Sequence, residues 1–231
     1  MRRRSWLRKT LWWLAAAALL SIVASVATVA VLRFVPPPIT AMMLWRGGPL
    51  RQLDYVWVDR HDIAPAVARA VIAAEDQKFL EHHGFDLQSI DQAIDDYRSG
   101  DELRGASTIT QQVAKNLFLW PGRSFVRKGL EAYFAVLLEA IWPKQRILET
   151  YLNTAELGVG IFGVEAAARR YFGVSARSLT PPQAALLAAV LPNPARLHAD
   201  RPSVYVRSRQ AWILAQMGLL EARGHYRGLG W

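Results

Sequence analysis

Glu75 falls on an apolar stripe. It lies at helical spacing after Val67 and Val71 and before Phe79, the i, i+4 pattern of a single helix face. A carboxylate on such a face loses water, which disfavours its charged form and should lift its pKa from roughly 4.3. A general base working near neutral pH needs that elevation. The competing reading is a glutamate at a helix end whose carboxylate reaches solvent over the rim. Asp76 follows directly but projects at another azimuth, so the two carboxylates do not form a close dyad.

Two further features carry chemistry. In Gly105-Ala106-Ser107-Thr108-Ile109-Thr110-Gln111-Gln112, Thr108 and Gln111 have capping-box spacing. Free amides at a helix start attract anions, and neighbouring hydroxyls can donate as well. The same pattern also reads as an ordinary well-capped helix, and it lacks the Gly-Lys-Ser/Thr ending of a Walker loop. Next comes a run of cations: Lys115, Arg123, Arg127, Lys128 and Lys144. Of the lysines Lys9, Lys78, Lys115, Lys128 and Lys144, the last three fall in this stretch. Glu131 is spaced to meet Arg127 and Lys128 on one helix face, as in a solvated ladder of ion pairs. Grouped cations also suit a pyrophosphate leaving group, whose developing charge they would stabilise.

The elements that must position these residues follow from breakers and periodicity. Arg2-Arg3-Arg4 and Arg8-Lys9 precede an uncharged run from Leu11 to Leu32, closed by Arg33 and Pro36-Pro37-Pro38. About 20 apolar residues cross a bilayer as a helix. Trp12 and Trp13 suit its interface, and the basic flank places Met1 in the cytoplasm; a cleaved signal peptide is the rival reading. Residues 39 to 60 read as an extended aromatic segment. Asp62 is expected to cap a helix with Pro65 in its first turn. Further helices are expected from Ser107, from Ser124 to Trp142, from Lys144 to Asn153, from Val164 to Tyr171, from Pro181 and from Ser203 to Arg223. The division is a basic tail (1–10), a transmembrane anchor (11–33), a membrane-proximal linker (34–60) and a catalytic domain (61–231). That soluble part is mainly α.

The motifs resemble a known family. Glu75-Asp76-Gln77-Lys78-Phe79-Leu80-Glu81-His82-His83-Gly84 is similar to the Glu-Asp-x-x-Phe-x-x-His-x-Gly motif of the peptidoglycan glycosyltransferases, glycosyltransferase family fifty-one. Gly105 to Gln112, continuing to Lys115-Asn116, resembles their second motif, with Ala106 where a second glycine is common. Arg127-Lys128-Gly129-Leu130-Glu131 resembles the third, and Lys144 to Asn153 the fourth. The resemblance spans about residues 38 to 220. Neither Ser-x-x-Lys nor Lys-Thr-Gly of a transpeptidase occurs, so the likeness is to the monofunctional biosynthetic type.

The resemblance implies a lysozyme-like glycosyltransferase domain with a small membrane-proximal jaw, polymerising lipid II into glycan strands. It implies Glu75 as the base that removes a proton from the acceptor's 4-hydroxyl. Glu131 is the second catalytic candidate. Lys115 and Arg123 would hold the donor pyrophosphate, with Ser107, Thr108, Gln111, Gln112, Arg127 and Lys128 lining the same region. Glu149 and Asn153 are supporting residues, and Asp76, Phe79 and His82 shape the cleft. Its partners would be lipid II, the growing lipid-linked chain, the membrane and other cell-wall synthesis proteins. The setting is the bacterial inner membrane, with the catalytic domain periplasmic. A lysozyme-like hydrolase or lytic transglycosylase is the alternative, since such enzymes also place one glutamate at a helix end.

Composition narrows the field. The 231 residues carry a formal charge of +9 and no cysteine, which excludes disulfides, thiolate metal sites and a cysteine nucleophile. The outward topology argues against nucleic acid as the target of the positive charge. No metal-ligand cluster stands out and no cofactor is expected. A divalent cation such as Mg2+ bridging a pyrophosphate is the one inorganic partner the chemistry admits.

Overall fold

The structure, a computed structural model, describes residues 2–47, 53–98, 107–122 and 124–231. The chain divides into two units, Met1–Pro37 and Pro38–Trp231. Helix α1 (Arg2–Leu32) dominates the first. Its segment Arg8–Leu32 has 25 residues and a mean hydropathy of 2.4. At 1.5 Å per residue this is about 37 Å long, enough for a hydrocarbon core of roughly 30 Å. Ser21 and Thr28 donate back to the carbonyls of Ala17 and Ala24 at 2.9 and 2.8 Å, which satisfies their hydroxyls without water. Among the described residues this is the one helix long and apolar enough to cross a membrane.

The second unit contains α2 (Ala41–Gly47), β1 (Asp54–Tyr55), α3 (Pro65–Glu75), α4 (Leu87–Arg98), α5 (Ile109–Phe118), α6 (Phe125–Ile141) and α7 (Lys144–Thr154). A hairpin of β2 (Glu156–Gly158) and β3 (Ile161–Phe162) follows, then α8 (Val164–Phe172), α9 (Pro181–Val190) and α10 (Val204–Ala222). The sheet order is β1-β3-β2, with β1 parallel to β3 and β2 antiparallel to it. Gly163 turns the chain from β3 into α8 at φ +83°. A Cβ there would come within 2.5 Å of the Asn153 carbonyl oxygen, so only glycine fits.

Helix α3 packs between α9 and α10, and α5 packs against α2, α6 and α7. Alanine is the reason α3 and α9 lie close. Ala68, Ala70 and Ala73 of α3 and Ala184, Ala185, Ala188 and Ala189 of α9 are all buried. Pro181 occupies the first turn of α9, and Thr180 and Gln183 form the expected capping box. At α3 the expected cap is absent. Asp62 sits in a separate 3-10 turn, and Ala64 precedes the helix without a side-chain cap. The entry is fixed by tertiary structure instead, because the Ala64 amide donates to the Ala176 carbonyl at 3.0 Å. The segment after Pro38 also differs from the extended reading. Thr40 Oγ1 accepts the Met43 amide at 3.2 Å, α2 follows, and Met42 and Met43 bury against Phe162.

Glu149 and Asn153 hold the strand-to-helix connection. Asn153 Oδ1 accepts the Val58 amide, and its Nδ2 donates to the Val58 and Glu149 carbonyls, each at 2.9 Å. Glu149 Oε1 accepts the Arg60 amide at 2.9 Å, and Oε2 pairs with Arg146 at 2.8 Å. Asn153 is fully buried, so its truncation would leave both Val58 backbone groups without partners. Asn153→Ala is expected to cost about 2–3 kcal/mol. That corresponds to a fall in melting temperature of roughly 4–12 °C for a unit of this size, readable by thermal unfolding in detergent.

Candidate active site

Glu75 is the last residue of α3. The helix stops because Asp76 takes φ −161° and ψ 78° and turns its side chain toward the start of α5. Asp76 Oδ2 accepts the Ile109 amide at 3.0 Å, and His82 Nε2 lies 2.9 Å from Oδ1. Thr108 Oγ1 donates to the Gly84 carbonyl at 2.7 Å. The first two motifs are thus stapled together, with Glu75 brought against the first turns of α5. Phe79, expected on the same helix as Glu75, lies in the turn beyond it and is wholly buried.

Gln112 of α5 donates through Nε2 to Glu75 Oε2 at 2.8 Å. Its Oε1 accepts the Tyr151 hydroxyl at 3.1 Å, which fixes the amide with its NH2 toward Glu75. Burial pushes the Tyr151 phenol well above its usual range, and the charges of Glu75 and Asp76 push it the same way, so the phenol keeps the proton it donates. Glu75 is itself raised above the ordinary carboxylate value. Burial dominates; the Gln112 hydrogen bond, Arg209 and Lys115 oppose it, and Asp76 adds to it. Arg209 Nη2 on α10 stands 3.9 Å from Glu75 Oε1, too far for a tight pair. The stripe of Val67 and Val71 thus ends on a carboxylate largely withdrawn from solvent, its side chain 14% exposed, at the helix end that the competing reading expected.

Two cavities adjoin here, and Glu75 lines the first of them. One, of about 310 Å³, is lined by Glu75, Asp76, Gln77, Asp86, Ser107, Thr108 and Trp212 among others. The second, of about 560 Å³, is lined by Arg46, Ser107, Gln111, Gln112, Lys115, Arg127, Lys128 and Glu131 among others. Ser107 belongs to both, and Gln112 joins the second cavity to Glu75. A ridge at the beginning of α5 thus has Glu75 on one side and the cations on the other.

The positive cavity holds four cations against the single carboxylate of Glu131 among its described lining residues. Glu131 is buried at 3% exposure. Arg127 reaches its Oε2 at 2.7 Å, and Lys128 pairs with its Oε1. Both cations lie in the first turn of α6, where Ser124 Oγ accepts the Arg127 amide at 3.1 Å. The helix dipole is already positive there, so Glu131 offsets a repulsion that the fold otherwise has no reason to build. Lys115 makes no ion pair among the described residues. Burial lowers its pKa below the ordinary lysine value, Glu131 and Glu75 pull it up, and Arg127 and Arg46 push it down.

The α5 amides are largely taken: Asp76 holds that of Ile109, and Thr108 Oγ1 accepts that of Gln111 at 3.3 Å. The capped-helix reading of this motif therefore describes its backbone, and positive charge comes from side chains. Lys144 stands apart from the other cations. It pairs with Glu139 at 2.7 Å over the Phe79 ring and lines neither cavity. Arg123, together with Gly105 and Ala106, lies outside the described residues. Among the described residues no group of three or more His, Asp or Glu could hold a metal. With both Glu131 oxygens committed to cations, the positive cavity is built for an anion.

Four residues here escaped the sequence reading: Arg46, Tyr151, Arg209 and Trp212. Arg209 had a signal, since it lies between Val206 and Ile213 on the buried stripe of α10, the same anomaly that marked Glu75. Arg46, Tyr151 and Trp212 had none, because only the packing of α2, α7 and α10 brings them here.

Comparison with known proteins decides the lineage. The transglycosylase family profile matches residues 46–218. The chain belongs to the transglycosylase family. It is therefore a glycosyltransferase with a mainly α, lysozyme-like fold, and α1 fits a single-pass membrane anchor. Among curated relatives, the biosynthetic peptidoglycan transglycosylase of Xanthomonas campestris pv. campestris (strain B100) is 52% identical over 225 residues, covering 94% of this chain and 92% of that protein. The protein of the same description from Stutzerimonas stutzeri (strain A1501) is 52% identical over 226 residues, covering 95% and 90%. That from Bdellovibrio bacteriovorus is 51% identical over 208 residues, covering 87% and 83%.

Proposed function

We propose that the enzyme polymerises lipid II into linear peptidoglycan strands, releasing undecaprenyl pyrophosphate, with Glu75 as the general base. The observation that carries this reading is the ridge of α5, with a largely buried carboxylate on one side and an excess of cations on the other. Glu75 takes the proton of the acceptor's 4-hydroxyl as that oxygen attacks the donor's anomeric carbon. The bond from that carbon to the pyrophosphate oxygen breaks, and its electron pair leaves with the pyrophosphate. Lys115, Arg127 and Lys128 stabilise that charge in a cavity where water screens poorly. Glu131 holds Arg127 and Lys128 in place. Ser107 and Gln112, on the ridge, face both halves of the reaction, and Arg123 joins the donor cations. With Arg2, Arg3, Arg4, Arg8 and Lys9 cytoplasmic, the catalytic unit works on the periplasmic side of the inner membrane.

A hydrolase needs the carboxylate but has no use for the cations. Incubation with lipid II separates the two: polymer and free undecaprenyl pyrophosphate support the proposal, while digestion of finished sacculi without polymer would sink it. The pH profile of polymerisation should be bell-shaped. Its acid limb should lie above an ordinary carboxylate pKa, because Glu75 must be ionised and burial resists that. Its alkaline limb should begin below an ordinary lysine pKa, because burial makes Lys115 give up its proton early. Initial rates of polymer formation across pH 4 to 11 check both limbs.

A further inference from the structure

The cavity beside Glu75 has a feature that proton transfer does not use. Trp212 of α10 is 44% exposed, a large apolar surface left at the wall of a cleft whose other lining is mostly polar: Gln77, Asp86, Ser89, Gln92 and Ser107. Its ring does not fill the core, which α10 supplies with Val206, Ile213, Met217 and Leu220. Instead it is tied to the catalytic carboxylate through one residue. The Arg209 guanidinium lies 6.0 Å from the Trp212 ring centroid, and the same group stands 3.9 Å from Glu75 Oε1. The Arg209 Nε is buried without a partner, and Nη2 reaches the Ala74 carbonyl at 3.5 Å. The indole is thus held one guanidinium away from the base.

An exposed indole among amide and hydroxyl side chains is the chemistry of pyranose recognition. The C–H bonds on one face of a sugar with equatorial substituents carry partial positive charge, and the face of an aromatic ring is negative. The hydroxyl and acetamido groups at the sugar's edge then reach the polar residues around it. We propose that Trp212 is the stacking platform that binds an N-acetylated sugar of the acceptor in the cavity beside Glu75. This rests on the reading of Glu75 as the base, which places the acceptor in this cavity and the donor pyrophosphate in the other. Stacking also confers specificity. A sugar with an axial group on the stacked face would be held off the ring and would bind more weakly.

The test uses the full chain in detergent, a preformed lipid-linked tetrasaccharide as donor and lipid II as the varied acceptor. Trp212→Ala should raise the KM for lipid II about tenfold, the effect of one lost aromatic contact with its buried area, while kcat stays within about twofold. Trp212→Tyr should keep KM within about threefold of wild type. Trp212→Leu, apolar but not flat, should behave like the alanine variant. Unchanged KM in Trp212→Ala, or a leucine variant equal to wild type, would overturn the proposal. So would a fall in kcat with a shifted acid limb and unchanged KM, since Trp212 would then merely position Arg209. If wild type makes no polymer from lipid II, the proposed function fails first. Saturation-transfer NMR with the free N-acetylglucosaminyl-N-acetylmuramic acid disaccharide then tests the platform alone. Sugar contacts that vanish in Trp212→Ala support it, and contacts that persist refute it.

Discussion

Glu75→Gln should abolish polymerisation while making the protein harder to unfold at neutral pH. Glutamine keeps the length of the side chain and can still accept from Gln112 Nε2, now 2.8 Å away, so the geometry of α3 and α5 is retained. What is lost is the ability to take a proton, worth about 10²- to 10⁴-fold for a positioned general base. The stability effect has the opposite sign. The folded pKa of Glu75 is raised, so between roughly pH 4.3, the unfolded value, and the folded pKa the native state binds more protons than the unfolded one. Stability therefore falls as pH rises through that window, and the ionised carboxylate is a destabilising group at neutral pH. Removing its charge should raise the melting temperature at pH 7, with the difference vanishing below about pH 4. Polymer yield from lipid II and thermal unfolding at the two pH values read both effects. A variant that keeps wild-type turnover would remove Glu75 from the mechanism.

The sequence carried most of the helices, though not α2 or α4 (Leu87–Arg98), because most begin and end on local chemistry. The Thr108–Gln111 and Thr180–Gln183 boxes and the prolines at 65, 143 and 181 are where the chain places its helix starts. It misled where tertiary contacts replace local ones, as at Ala64, whose partner Ala176 is far along the chain, and in α2, whose two methionines become helical by burying against Phe162. The site divided the same way. Glu75 stood out as a candidate because a carboxylate on an apolar stripe is costly, but the motif around it marked it more strongly than the stripe did. Glu131 was legible by its spacing from Arg127 and Lys128, although only the structure shows both of its oxygens committed to those cations. Lys144 looked like a member of the cation group because it is near in sequence, whereas Glu139 and Phe79 claim it. Tyr151, which fixes the Gln112 amide, could not be read at all, since that role requires α5 and α7 to be packed together first.

Lys115→Met should lower kcat by about 10²- to 10³-fold, the range for removing one preorganised charge partner of a transition state, with little change in the KM for acceptor. Lys115 is on α5, on the cation side of the ridge, and among the described residues no carboxylate pairs with it. Arg127 and Lys128 share Glu131, so part of their charge is neutralised before any substrate arrives. Lys115 is therefore the cation whose field would be most available to the pyrophosphate of the proposed reaction. Its readiness is destabilising. Because burial lowers its folded pKa below the unfolded value of about 10.4, the unfolded state binds more protons in that window and stability rises with pH there. At neutral pH the buried ammonium therefore lowers stability, and methionine, similar in length and apolar, should raise the melting temperature as activity collapses. Lys115→Arg separates charge from shape: it should recover part of kcat, though not all, since a planar fork replaces a compact ammonium. Loss of the early alkaline limb in the arginine variant would assign that limb to Lys115. Its persistence would assign it elsewhere, even if the methionine variant is inactive. Glu75 and Lys115 together then describe a site where two charges of opposite sign are each held in partial burial against stability, as the proposed reaction, which separates charge between them, would require.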